Sequence, residues 1–214
     1  MKTMKLFRLL GLISVLIFVL WGYGFAHPIS SATGLLQIPS AQVLDESELS
    51  VSYNHSNRKG YASLGLGVFP GVEVGMTSQV SSNNSNIVGS LKVKLMEEDI
   101  LPAISVGLMS RNSKTDYYVV GSKQLGVAGL RGHFGLGTGS YSRGFAGVSS
   151  VLNPVSVASS GNHIAIPLTT LVIEYDGAAL NTGVIMRFNQ HVQVRAYVSD
   201  LQSLGFGLRY TMKF

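Results

Sequence analysis

The stretch Leu204-Gly205-Phe206-Gly207-Leu208-Arg209-Tyr210-Thr211-Met212-Lys213-Phe214 decides the fold. Apolar residues occupy every second position, and glycine, threonine or basic residues lie between them. Successive side chains of a β-strand point to opposite faces, so this stretch predicts a strand with one apolar and one polar face.

The same alternation recurs through most of residues 46–214. Outside the last strand, the apolar positions include Leu49, Val51, Tyr53, Leu64, Leu66, Val72, Val74, Leu91, Val93, Ile104, Val106, Phe134, Leu136, Leu171, Ile173, Val184, Met186, Val192 and Val194. Turn signals such as Pro70-Gly71 and Asn189-Gln190 separate the alternating segments. The pattern predicts about twelve strands, and an even number suits an up-and-down barrel whose two ends lie on one side.

The composition indicates that the apolar face meets lipid. Only 13% of residues are charged and the mean hydropathy is +0.30, whereas soluble domains carry roughly 25% charged residues. Beyond the first 26 residues, no apolar run approaches the roughly 20 residues of a transmembrane helix. We therefore predict an all-β, transmembrane antiparallel barrel. A soluble β-sandwich or lipocalin-like barrel, with its apolar face inward, is the alternative.

The first 26 residues have the three parts of a secretory signal peptide. Lys2, Lys5 and Arg8 precede the apolar stretch 9–20, and small residues lead up to Ala26, where we expect cleavage. A retained N-terminal anchor is the alternative. Removal of this segment would leave 13 basic residues, three fewer than the 16 of the full chain, against 11 acidic ones. That balance gives no reason to expect a nucleic-acid partner.

Two segments do not alternate. Residues 27–45 contain Pro28 and Pro39 and have no clean period, so we interpret them as an irregular lead-in and a candidate plug of the barrel. Residues 151–167 are long for a periplasmic turn. They are a second candidate plug, an extra hairpin, or a sign of a wrong strand count at that point.

The polar face would line the lumen. Its charged and ionisable candidates are Glu73, Lys92, Lys94, Arg131, His133, Glu174, Asp176, Arg187, Arg195 and Arg209. Because both signs are present, cross-strand ion pairs are the first expectation, with Arg187 as a partner for Glu174. A path for a solute or glycan is the second. Glu174 and Asp176 share a face and either begin a turn or act as an acid–base pair.

The sequence lacks the residue patterns that are typical of metal sites and of serine hydrolases. The chain has no cysteine, and its five histidines form no metal-ligand cluster. No Gly-x-Ser-x-Gly motif occurs, and no strand places Ser and His two residues apart. We predict no enzymatic activity, no cofactor and no metal, and we keep a lipid hydrolase using His133 only as a disfavoured alternative.

Short blocks recur in order along the chain: Gly34-Leu35-Leu36-Gln37-Ile38-Pro39-Ser40-Ala41, Val72-Glu73-Val74-Gly75, Ile173-Glu174-Tyr175-Asp176-Gly177 and Asn181-Thr182-Gly183. Their order resembles the YjbH-like family of outer-membrane proteins. Larger members of that family carry more sequence, so this chain looks like a short, single-barrel member. The resemblance implies an outer-membrane β-barrel associated with exopolysaccharide production.

The leading functional hypothesis is a non-enzymatic barrel that supports surface polysaccharide production, its export, or envelope organisation. The alternative is a porin-like channel for small solutes. The expected partners are the outer-membrane bilayer and the barrel-assembly machinery, which would read the terminal aromatic Phe214. Polysaccharide and other envelope proteins are further candidate partners.

Overall fold

Residues 33–80, 87–111, 114–153 and 166–214, which a computed structural model describes, contain twelve β-strands. The strands are β1 (Glu48–Ser56), β2 (Lys59–Phe69), β3 (Val72–Gln79), β4 (Ile87–Met96), β5 (Ala103–Arg111), β6 (Lys114–Gln124), β7 (Leu130–Gly137), β8 (Phe145–Val151), β9 (Leu168–Tyr175), β10 (Leu180–Arg187), β11 (Val192–Ser199) and β12 (Ser203–Lys213). Within these residues no helix has the length and apolarity needed to cross a membrane.

The strands close into an up-and-down antiparallel barrel. Each strand pairs with its sequence neighbours, and β1 pairs with β12 from Glu48 opposite Lys213 to Ser56 opposite Gly205. Closure leaves no unpaired strand edge among these twelve strands, which a sheet within lipid requires. The predicted fold and strand count are confirmed.

The alternation of the sequence places apolar side chains outside and polar ones inside. Large exposed side chains of the outer face include Val51, Leu64, Phe134, Leu136, Ile173, Phe206 and Leu208. Buried polar side chains of the inner face include Ser52, Asn54, Ser63, Thr77, Ser105 and Ser149. An exterior of this kind is stable in hydrocarbon and would aggregate in water, so the barrel is a membrane-spanning one.

The barrel has two mouths. We call the end where β1 begins and β12 finishes the terminal mouth, and the other end the far mouth. The tight connections at Gly71 and between β10 and β11 lie at the terminal mouth, together with the long connection between β8 and β9. Residues 154–165 of that connection, and residues 1–32 with the predicted signal peptide, lie outside the described residues.

Candidate functional site in the barrel lumen

The chain segment before β1 occupies the lumen. Residues 33–45, here called the luminal segment, enter at the terminal mouth, turn inside the barrel and return to β1. Gly34 bridges Pro39, and the Leu35 N–H donates to the Ile38 carbonyl at 3.0 Å. Leu36 and Ala41 are almost fully buried. The barrel thus encloses a tight hairpin of its own chain.

Glu174 holds the tip of this hairpin. Its carboxylate accepts hydrogen bonds from the backbone N–H groups of Leu36 at 3.0 Å and Gln37 at 2.6 Å. The Gln37 side-chain amide also donates to the Ser199 hydroxyl at 2.8 Å. Hydrogen bonds to a carboxylate are stronger than neutral ones, and they compensate the burial of Glu174, which is 1% exposed.

Arg195 binds the same tip through its carbonyl groups. One guanidinium nitrogen, Nη1, donates to the Leu35 carbonyl at 3.2 Å and reaches the Leu36 carbonyl at 3.5 Å. The tip therefore has a carboxylate at its N–H groups and a cation at its carbonyl groups. This arrangement satisfies the polar backbone of a turn that lies away from water.

An ion pair anchors both ends of the luminal segment. Glu73 and Lys92 stand opposite each other on β3 and β4, with 3.9 Å between the charged atoms. Glu73 accepts from the N–H groups of Thr33 at 2.8 Å and Leu44 at 2.9 Å. Lys92 donates to the carbonyls of Thr33 at 2.7 Å and Ser40 at 3.3 Å. The cross-strand pair of Glu73 and Lys92 therefore also binds the backbone of the luminal segment.

Serine hydroxyl groups bind the luminal segment at Ala41, in the part that leads back to β1. The Ser105 hydroxyl donates to the Ala41 carbonyl at 2.6 Å, and the Ala41 N–H donates to the Ser122 hydroxyl at 3.0 Å. Ser122 in turn lies 2.8 Å from His133 Nδ1, while His133 Nε2 lies 3.2 Å from the Ser149 hydroxyl. The pattern within single strands does not reveal these serines, because Ser122 and His133 lie opposite each other across β6 and β7.

Aromatic side chains narrow the far mouth on one side. Tyr118 and Phe145 meet Tyr141, which lies in a 3-10 helix, Gly139–Tyr141, of the β7–β8 connection. The ring centroids of Tyr118 and Tyr141 are 4.9 Å apart, and those of Tyr141 and Phe145 are 5.4 Å apart. Burial raises the pKa of Tyr141, whose hydroxyl donates to the Met109 sulfur at 2.8 Å. All three aromatic side chains are buried.

A family model identifies the chain. The model for YjbH, described as "Exopolysaccharide biosynthesis protein YbjH", matches residues 30–162, which is more than half of the 214 residues. The chain belongs to the YjbH family. The match includes the luminal segment and β1 to β8, whereas the Glu174 block that carries part of the resemblance lies beyond it.

A solved structure supports the fold. The YjbH-family barrel is similar to a chain titled "KdgM porin", with a TM-score of 0.52 and 10% sequence identity over 78% of this chain and 99% of the other. At that identity the likeness concerns the fold alone. No curated protein sequence matches the chain.

Some of the charged residues that were expected to line the lumen of this YjbH-family chain do not contact the luminal segment. They bind groups near the two mouths. Asp176 accepts from the N–H groups of Ala178 at 2.9 Å and Ala179 at 2.8 Å, so it begins the β9–β10 turn. Lys94 pairs with Glu97 at 2.7 Å. The Asn181 amide contacts both carboxylates, at 3.5 Å from Glu174 and 3.1 Å from Asp176. Each carboxylate also binds backbone groups of its own, so the acid–base alternative gains no support.

Arg131 pairs with Glu98 of the β4–β5 connection. The Gln124 N–H, 2.7 Å from the Glu98 carboxylate, and the Arg131 guanidinium lower the pKa of Glu98. This contact ties the β4–β5 connection to the ends of β6 and β7 at the terminal mouth.

The predicted pairing of Glu174 with Arg187 is wrong. Glu174 lies opposite Asn181 near the far mouth, whereas Arg187 lies opposite Leu168 at the other end of β10. Arg187 is exposed at the terminal mouth, where Arg209 also lies. Within the described ranges, no three His, Asp or Glu side chains come together as a metal site would require.

Proposed function

We propose that this YjbH-family protein is a non-enzymatic outer-membrane barrel that supports surface polysaccharide production, its export or envelope organisation. The occupied lumen carries the proposal. Glu73, Lys92, Glu174 and Arg195 direct their charges to the backbone of the luminal segment. We infer that the segment acts as a plug, so that the barrel is closed until a partner or ligand moves it.

The chemistry of the barrel surface and the family support an outer-membrane setting. The apolar exterior requires lipid, and closed β-barrels of this kind are outer-membrane structures. We place the terminal mouth, where β1 begins and β12 finishes, on the periplasmic side, the arrangement of single-chain barrels with an even number of strands. A periplasmic partner would then meet both the plug entrance and the β8–β9 connection.

A hydrolase role has weaker support. Ser122 and His133 resemble a nucleophile and base in their 2.8 Å separation. Both are buried and face the lumen, and the Ser122 hydroxyl already accepts the Ala41 N–H. Lipid substrates lie on the opposite face of the sheet, so we assign the pair to holding the plug.

The experiment locks the plug. Gln37→Cys with Ser199→Cys places two thiols where the side chains now share a hydrogen bond, and the chain has no other cysteine. A short bifunctional thiol reagent then joins them in cells. We expect the locked barrel to lose surface polysaccharide, while each single-cysteine variant given the same reagent retains it.

Bilayer conductance of the same proteins separates the alternatives. We expect no steady conductance from the wild type, and channel openings once residues 33–44 are deleted. Normal polysaccharide in the locked double variant would overturn a movable plug. Steady conductance of the unmodified wild type would favour a small-solute pore, and lipid hydrolysis abolished by His133→Gln would favour an enzyme.

A further inference from the structure

A cavity of about 440 Å³ opens at the terminal mouth between the luminal segment and strands β10 to β12. Thr33, Val43 and Leu44 form its wall on the plug side. Its volume lies within the roughly 300–1,000 Å³ of small-molecule sites. Any occupant would touch the plug and the barrel wall together.

Two arginines face this cavity in one row across three strands. Arg187 on β10 lies opposite Gln193 on β11, and Gln193 lies opposite Arg209 on β12. Neighbouring strands are separated by about 4.8 Å, so the two arginine backbones are roughly 10 Å apart. The glutamine between them adds a neutral amide and no opposing charge.

These two cations have no acidic partner within 4.0 Å among the residues that the structure describes. The ion pairs found there involve Lys92, Lys94, Arg131 and Lys213 instead. Glu48 is an acid on the cavity wall, where it accepts the Asp45 N–H at 2.8 Å, and Glu73 attracts Arg209 from outside the wall. The cavity therefore has an excess of positive charge.

Arg209 is the more deeply placed of the two. It is 8% exposed, and its Nε, which is shielded from solvent, has no hydrogen-bond acceptor within the described parts of the chain. Buried donors are normally satisfied, and a guanidinium binds carboxylates and phosphates with two parallel hydrogen bonds. An anionic group between Arg187 and Arg209 would supply the missing opposite charge.

We propose that this cavity binds an anionic sugar unit, whose carboxylate or phosphate lies between Arg187 and Arg209. The choice of a sugar rests on the proposed function, whereas the anionic group rests on the two arginines. The amide of Gln193 supplies a hydrogen-bonding group for a sugar hydroxyl. Because the plug forms one wall, ligand binding and plug position are coupled.

Calorimetric titration of the full-length barrel in detergent tests the site with three probes: glucuronate, sn-glycerol 3-phosphate and glucose. We expect glucuronate to bind and glucose not to bind. Arg187→Gln should weaken glucuronate binding about tenfold or more, as loss of a charged hydrogen bond does. Arg58→Gln, which changes an exposed arginine at the far mouth, should leave it unchanged.

Arg187 is exposed, so its variant should fold, and a gel shift on heating confirms this for each protein. Arg209→Gln is the second variant, with a larger expected loss. Binding of glycerol phosphate alone would indicate a lipid headgroup and overturn the sugar assignment. Equal glucuronate affinity in the wild type and Arg187→Gln, or no binding of either anion, would overturn the site. Neither result alters the plug-locking outcome at Gln37 and Ser199, so failures of the two proposals are distinguishable.

Discussion

Glu174 and Gln37 lie 137 positions apart in the chain, yet a Glu174 carboxylate oxygen is 2.6 Å from the Gln37 amide nitrogen. The other oxygen accepts the Leu36 N–H. One side chain of the barrel wall thus satisfies two adjacent donors at the tip of the luminal segment. This relationship makes Glu174 the residue whose change should affect the plug most directly.

We predict that Glu174→Gln loosens the tip. The substitution removes the charge and one acceptor, and hydrogen bonds to charged groups contribute about 1.5–3 kcal/mol. In a Gln37→Cys background, maleimide should therefore modify the introduced thiol roughly tenfold faster or more when Glu174→Gln is present. The rate of labelling in folded, detergent-solubilised barrel measures the effect.

Asp176→Asn is the matched control, because it makes the same chemical change two residues along. Asp176 caps the turn at Ala178 and Ala179. When Asp176→Asn is added to Gln37→Cys, the rate of maleimide labelling should stay within twofold of the rate for Gln37→Cys alone. If Glu174→Gln and Asp176→Asn accelerated labelling equally, negative charge near the far mouth would hold the tip, and the contact of Glu174 with Gln37 would not.

The Glu73–Lys92 pair should show strong coupling. Removing one member of a buried pair leaves the other charge unpaired, at a cost of about 3–5 kcal/mol. Glu73→Gln and Lys92→Met should each lower the temperature at which the barrel loses its folded gel mobility. The double variant should lower it by less than the sum of the two. Additive effects would mean that the two residues bind the luminal segment independently.

The barrel could be predicted from the sequence because alternation fixes which face each side chain occupies. Alternation predicts far less well how deep along the barrel axis a side chain lies and which group it contacts. Glu174 and Arg187 share the inner face, but they lie at opposite ends of β9 and β10, so their expected pairing is wrong. The closest partners of Glu174 are the backbone N–H groups of Leu36 and Gln37, which no residue pattern reveals.

The contact between Ser122 and His133 could have been found from hairpin register. The β6–β7 turn sets Gln124 opposite Arg131, and two steps along each strand this places Ser122 opposite His133. The link from Ser122 to Ala41 could not be found in this way. It depends on how deep an irregular segment enters the lumen, and alternation carries no information about that.

A charged side chain on the outer face should destabilise the barrel, and it should do so most strongly near the bilayer midplane. Leu208, at the centre of β12, is 52% exposed to the surroundings of the barrel. Leu208→Arg should destabilise the folded barrel by about 2–4 kcal/mol, the usual cost of arginine near the bilayer midplane. Urea unfolding in phospholipid vesicles measures this. Leu201→Arg, in the β11–β12 turn and 61% exposed, should change stability little, and equal losses would place Leu208 outside the hydrocarbon.

Gly207 should tolerate no side chain, because Asn54 and Arg195 converge over it. A Cβ atom there would contact the Asn54 side-chain oxygen and lie 2.7 Å from Arg195 Cγ. Gly207→Ala should therefore displace Arg195 from the Leu35 carbonyl and accelerate maleimide labelling in the Gln37→Cys background several-fold. Gly89→Ala is the matched control, since a Cβ at Gly89 meets nothing within 4 Å. If Gly207→Ala labelled no faster than Gly89→Ala, Arg195 would not be holding the tip of the luminal segment.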